Sequence, residues 1–228
     1  MAKFRKIIQG NSENLLIKKF IRLFYKNLRK RLISNNRFSF ALTGGKSPIK
    51  LYQHLAKSKH IPWKKIDFFI GDERYVKESS KHSNINLCKK YLLSKIKISD
   101  HQIYKITTNQ KSIKKDAQDY ENKIKKYFLN KKVIFDLVLL GIGQDGHIAS
   151  LFKNNINKKS RNDVDFVARN DFSRITLTLK CLNNSKSIFL WAPGKEKSNI
   201  VKKILLDKKF KYPASFLKKK NNFLFYCN

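Results

Sequence analysis

Residues 135–152 read FDLVLLGIGQDGHIASLF, and this stretch restricts the fold more than any other. Phe135 to Leu140 is mainly apolar, too continuous for a strand wet on one face and too short for a helix. That profile fits a strand buried on both faces of a parallel sheet. Gly141, Gly143 and Gly146 follow within six residues, so the backbone can turn sharply and pass close to a ligand. Asp145 and His147, both capable of proton chemistry, then stand at the strand's carboxyl end, where open α/β sheets bind ligands.

The remaining chain alternates strand and helix signals. Ser12 caps a helix to about Leu32, whose apolar face is Ile17, Phe20, Ile21, Phe24, Leu28 and Leu32. Phe38 to Leu42 reads as a strand running into Thr43-Gly44-Gly45-Lys46-Ser47-Pro48, with Ser47 as N-cap and Pro48 at the first helical position. Free N–H groups at such a helix start suit an anion, although a plain strand-to-helix turn has the same residues. Ile66 to Ile70 is a strand leading into Gly71-Asp72-Glu73-Arg74, and Ser83 or Asn84 starts a helix to about Leu93. An edge strand is expected at Gln102–Ile106 and a helix at Ser112–Leu129. Asn154 to Asn162 reads as an exposed loop. Strands follow at Arg174–Leu179 and Ser187–Ala192, then Pro193-Gly194-Lys195-Glu196-Lys197 and a helix to about Leu206. A short turn at Pro213–Ser215 and a strand at Phe223–Tyr226 close the chain. The fold class is therefore α/β, a Rossmann-like, mainly parallel sheet with helices on both faces, in a single domain over 1–228. In such a sheet the four polar or glycine-rich loops at 43–47, 71–74, 141–147 and 194–197 share one edge.

Composition narrows the partners. The net charge of +35 raises nucleic acid as a possibility, but 42 of the 51 basic residues are Lys, spread through every segment. Arg is the preferred fork for bases and phosphates, and the 21 Asn beside the Lys point to base-composition bias. No specific nucleic-acid partner is expected. No apolar run is long enough to span a membrane. Cys88, Cys181 and Cys227 have no CxxC spacing, which suits free thiols in a reducing cytoplasm. Neither zinc-ligand spacing nor a clustered acidic metal site is present, and a monomer is expected.

In this order, ALTGGKSP, IDFFIGDERYV with HSNINL, FDLVLLGIGQDGHIASLF, RITLTLKCLN, APGKEK and YPASFL resemble the blocks of the 6-phosphogluconolactonase family, within the glucosamine-6-phosphate isomerase superfamily. Glucosamine-6-phosphate deaminase shares the GxGxDGH core. Arg74 after Asp72-Glu73, and Ile148 to Phe152 after His147, favour the lactonase. The resemblance implies hydrolysis of 6-phospho-D-glucono-1,5-lactone to 6-phospho-D-gluconate without metal or organic cofactor. A deaminase-type sugar-phosphate enzyme is the alternative, and a nucleic-acid-binding protein on a decayed enzyme fold is the more distant one.

Under that resemblance His147 is the general base. Asp145 either orients it or braces the loop, Arg74 stabilises the carbonyl oxygen or positions the substrate, and Asp72 holds Arg74. The phosphate is expected on Thr43, Gly44, Gly45, Lys46 and Ser47, with Arg174 and Lys197; Lys195 competes with Lys197.

Overall fold

The computed structural model describes residues 4–108, 112–156, 160–209, 211–218, 220 and 222–227. In chain order its first half holds β1 (Lys6–Gly10), α1 (Glu13–Ser34), β2 (Phe38–Leu42), α2 (Ile49–Ala56), β3 (Ile66–Ile70), β4 (Asp72–Arg74), α3 (Asn84–Tyr91) and β5 (Ile103–Tyr104). Next come α4 (Ile113–Tyr127), β6 (Leu137–Gly141), β7 (Val164–Val167), β8 (Arg174–Leu177), α5 (Leu179–Asn184), β9 (Ile188–Ala192), α6 (Lys195–Leu206) and β10 (Asn222–Cys227).

Seven strands form one sheet in the order β1-β10-β9-β6-β2-β3-β5, and every neighbouring pair is parallel. From β2 the order runs outward through β3 to β5; from β6 it runs the other way through β9 to β10. The switch between β2 and β6 opens a crevice at the carboxyl ends of the strands. The loops after β2, β6 and β9 therefore leave from adjacent strand ends, as their sequence anticipates.

Alternation along the central strands sends aromatic rings to both faces. On one face α1 is capped by Ser12, whose Oγ accepts the Leu15 N–H at 3.3 Å. Its Phe20 packs against Phe189, Trp191 and Phe225 at ring distances of 5.2, 5.6 and 5.2 Å. Phe24 meets Phe38 and Phe40. On the other face Phe69 meets Tyr127 at the end of α4, and Phe135. Each fully buried ring of this kind is worth roughly 1.5–3 kcal/mol, so truncating Phe20 to Ala should cost about 3–5 kcal/mol.

The structure corrects the sequence reading in several places. The strand starting at Arg174 does not join the parallel sheet; β8 lies between β4 and β7 in a separate antiparallel sheet. It ends at Leu177, and the Thr178 hydroxyl caps α5 by accepting the Cys181 N–H at 3.2 Å. Strands β1 and β7 and helix α5 escaped the sequence because each is short, and β1 is largely exposed. Helix α2 starts one residue later than expected, with Pro48 rather than Ser47 as its N-cap and no side-chain cap. Within the expected loop Asn154–Asn162, residues 157–159 lie outside the described residues.

Candidate functional site

The loop after β6 closes on itself through the His147 carbonyl, which accepts the Gly143 N–H at 2.9 Å. This brings Asp145 and His147 together. The His147 Nδ1 lies 2.5 Å from Asp145 Oδ1, and the same oxygen accepts the His147 backbone N–H at 3.2 Å. Burial raises the Asp145 carboxyl, but the hydrogen bond and charge of His147 outweigh it and hold Asp145 below the usual carboxylate range. Gly143 makes room for the ring, since a Cβ there would lie 2.1 Å from His147 Nδ1. The imidazole also packs on Phe152, with ring centroids 4.5 Å apart.

Across the switch point the loop after β2 is held from below. Tyr52 of α2 donates its hydroxyl to the Thr43 carbonyl at 2.6 Å and accepts the Thr43 N–H at 3.1 Å. Thr43 Oγ1 accepts the Gly141 N–H at 3.5 Å, joining the two loops. The N–H groups of Gly44, Gly45, Lys46 and Ser47 have no acceptor among the described residues. They form an N–H-rich turn at the start of α2, the kind of backbone that holds anions. Trp191 at the end of β9 donates its indole N–H to the Ser47 carbonyl at 3.0 Å, fixing the far side of the loop.

Strand β4 departs from expectation. Asp72 is buried and accepts the Ser150 hydroxyl at 2.8 Å, while Arg74 donates to the His82 carbonyl at 2.8 Å. Arg74 pairs with no carboxylate among the described residues, so Asp72 does not hold it; a nearby hydroxyl satisfies the acid. Asp72 instead ties β4 to the loop that follows His147, because Ser150 also donates its N–H to Thr176 Oγ1 on β8.

Two residues without an assigned role in the sequence complete this corner. Glu73 accepts N–H groups from Arg74, Asn84 and Ile85 and the Ser83 hydroxyl, which fastens β4 to the start of α3. Burial nevertheless pushes its carboxyl up to about 7. Asn84 donates its Nδ2 to the Asp72 carbonyl at 2.7 Å, leaving a buried Oδ1 without a partner. That amide lies against Gly44, where a Cβ would come within 1.8 Å of Oδ1.

Arg174 is 8% exposed, and both its terminal nitrogens reach Asp171, at 2.9 and 2.6 Å. Cross-strand pairing sets it opposite Arg74. Its guanidinium lies 5.4 Å from the Phe152 ring, and that of Arg169 lies 4.0 Å from the same ring. At the start of α6, Lys197 is half-buried and Lys195 exposed. The arrangement thus joins a carboxylate-held imidazole and an N–H-rich turn at one edge of the parallel sheet, with Arg169 and Arg174 against the ring on which the imidazole packs. Among the described residues no cluster of three or more His, Cys, Asp or Glu side chains is set to hold a metal.

Comparison with known proteins gives consistent matches. The family model described as glucosamine-6-phosphate isomerases/6-phosphogluconolactonase matches residues 11–225. A 6-phosphogluconolactonase of Thermotoga maritima is 34% identical over 85% of this chain and 85% of its own length. One from Synechocystis is 30% identical over 90% of this chain and 88% of its own. The crystal structure of a 6-phosphogluconolactonase from Thermotoga maritima superposes with a TM-score of 0.84 at 32% identity, covering 98% of this chain and all of the other. That of Trypanosoma cruzi gives 0.85 at 28% identity, covering all of this chain and 95% of its own.

Proposed function

Since this chain belongs to the family of glucosamine-6-phosphate isomerases and 6-phosphogluconolactonases, we propose that it hydrolyses 6-phospho-D-glucono-1,5-lactone to 6-phospho-D-gluconate, the second step of the oxidative pentose phosphate pathway. The observation that carries this reading is the Asp145–His147 pair at the β2/β6 switch point. With Nδ1–H donated to Asp145, the His147 Nε2 lone pair is the one available to a water molecule.

The reaction then proceeds by addition and elimination. Nε2 takes a proton as the water oxygen bonds to the lactone C1, and the carbonyl electrons move to the exocyclic oxygen. Arg74 offsets that negative charge. Collapse re-forms the carbonyl and breaks the bond from C1 to the ring oxygen, which takes its proton from the imidazolium. Asp145 orients the ring and favours its charged form, as an acid does beside a catalytic histidine. The phosphate is assigned to the free amides of Gly44, Gly45 and Lys46, the hydroxyls of Thr43 and Ser47, and the cations Arg174 and Lys197. Lys197 is preferred to Lys195 because it is the less exposed of the two. Asp72 acts from behind, through Ser150.

A coupled assay that follows 6-phosphogluconate formation above the spontaneous hydrolysis of the lactone tests this. Ammonia release from glucosamine 6-phosphate, without lactone hydrolysis, would assign the chain to the deaminase branch instead. We place the protein in the cytoplasm as a monomer with no specific nucleic-acid partner. Its three cysteines are free and buried, and no helix among the described residues is long and apolar enough to cross a membrane.

A further inference from the structure

The hairpin between β7 and β8 carries a second arginine that the family blocks do not single out. Arg169 sits with its guanidinium carbon 4.0 Å over the Phe152 ring, well within cation–π range. Phe152 is also the ring on which His147 packs, at 4.5 Å. The imidazole and the guanidinium therefore share one aromatic neighbour. Arg169 is further held by its Nε, which donates to Asp171 at 3.2 Å.

Asp171 divides its two oxygens unequally. It takes both terminal nitrogens of Arg174, and Arg174 NH1 also donates to the Phe172 carbonyl at 2.9 Å. Arg174 is nearly enclosed, whereas the Arg169 side chain is 40% exposed. No terminal nitrogen of Arg169 has a partner among the described residues. Of the two guanidiniums beside Phe152, the inner one has three of its N–H groups committed to Asp171 and Phe172, and the outer one, with only its Nε held, has both terminal nitrogens to offer. Two arginines against one carboxylate leave a net positive charge beside Phe152, the ring on which His147 packs.

We propose that Arg169 is a specificity-determining residue that binds the substrate's phosphate. Phe152 supplies its platform, Asp171 fixes its Nε, and Arg169 adds a second guanidinium to the one that Arg174 brings to the phosphate. The proposal rests on the sugar-phosphate reading of the site. A planar guanidinium with its Nε already anchored presents its remaining N–H groups in a fixed fork, which suits the oxygens of a phosphate dianion. The unphosphorylated lactone would have no use for that fork.

The test compares wild type, Arg169→Gln and Arg169→Lys by steady-state kinetics on 6-phosphogluconolactone and gluconolactone, and by calorimetric binding of 6-phosphogluconate and gluconate. Arg169→Gln should raise KM and weaken 6-phosphogluconate binding by about ten- to hundredfold, the scale of one lost charge-assisted contact. The unphosphorylated pair should change less than about twofold, and kcat should fall far less than kcat/KM. Arg169→Lys should retain part of the affinity. Equal losses on both lactones, or unchanged 6-phosphogluconate binding, would overturn the proposal. If wild type binds 6-phosphogluconate in an Arg169-dependent way but does not hydrolyse the lactone, the assigned reaction fails and the role of Arg169 stands. A wild type that binds no sugar phosphate overturns both.

Discussion

Asp145 Oδ1 accepts from both the ring Nδ1 and the backbone N–H of His147, at 2.5 and 3.2 Å. Orienting the imidazole and bracing the loop, which the sequence leaves as alternatives, are therefore two contacts of one oxygen. A single carboxylate fixes the ring's tautomer and the turn that carries it.

Replacing His147 tests the base directly. His147→Asn keeps a hydrogen-bonding side chain but removes basicity, so kcat should fall by about 10²–10⁴-fold. KM should move little, because the base meets water rather than the phosphate. The fold should survive, since the ring packs only at a loop and Phe152. Retention of more than about a third of wild-type kcat, far below the loss normal for a general base, would show that His147 is structural.

Asp145→Asn separates its two contacts. The amide oxygen can still accept the backbone N–H, so at pH 7 the variant should melt only slightly below wild type, by what the carboxylate gains from the ring. The ring loses its anionic partner, and kcat should drop by more than tenfold, up to the order of 10⁴ when the wrong tautomer results. Asp145 has a depressed folded value. What stability it adds is therefore complete above the ordinary carboxyl range and fades in acid as pH falls through that lowered value. Melting curves of wild type and variant should converge as the pH falls below the ordinary carboxyl range. A gap that widens in acid would contradict the assignment.

The strands that build the crevice were legible because β2, β3 and β6 are short apolar runs ending in glycine or charge, a local pattern set by burial on both faces. Strand β8 was legible as a strand but not as a member of a second sheet. Its partner β4 is three residues long, and only the tertiary fold brings it alongside. The site divided in the same way. His147, Asp145 and the glycine turn announce their chemistry locally. Tyr52 looks like any ring on an amphipathic helix until its hydroxyl is seen on Thr43. Asp171 looks like any loop acid until it closes on Arg174. Glu73 and Asn84 stand in recognisable blocks, yet their roles depend on contacts that spacing does not encode.

Gly44 and Asn84 should behave as a coupled pair. In Gly44→Ala the new methyl would fall 1.8 Å from Asn84 Oδ1, so the loop must move or the amide must give way. Either shift disturbs the N–H-rich turn, and kcat/KM on the phosphorylated lactone should fall about tenfold or more, a small displacement being enough for that. In an Asn84→Ala background the clash is gone, and Gly44→Ala should cost markedly less. A double-mutant cycle measures the difference. Additive effects would mean that the amide does not constrain the loop.

Glu73 gives the pH dependence that is easiest to isolate. Its folded value of about 7 stands above the 4.5 of an ordinary glutamate, with burial as the first cause and the amides of Asn84, Ile85 and Arg74 opposing it. Between those two values the folded chain binds more protons than the unfolded one, so this group's contribution to stability falls as pH rises through the window. Glu73→Gln cannot titrate. It should be less stable throughout, because its amide N–H₂ faces backbone donors that the carboxylate accepts. The trend carries the test: the melting-temperature advantage of wild type over Glu73→Gln should be largest near pH 4.5 and shrink steadily to about pH 7.5. A constant advantage across that range would mean that the four donors keep Glu73 ionised in the folded chain, and that its hydrogen bonds rather than its burial govern its charge.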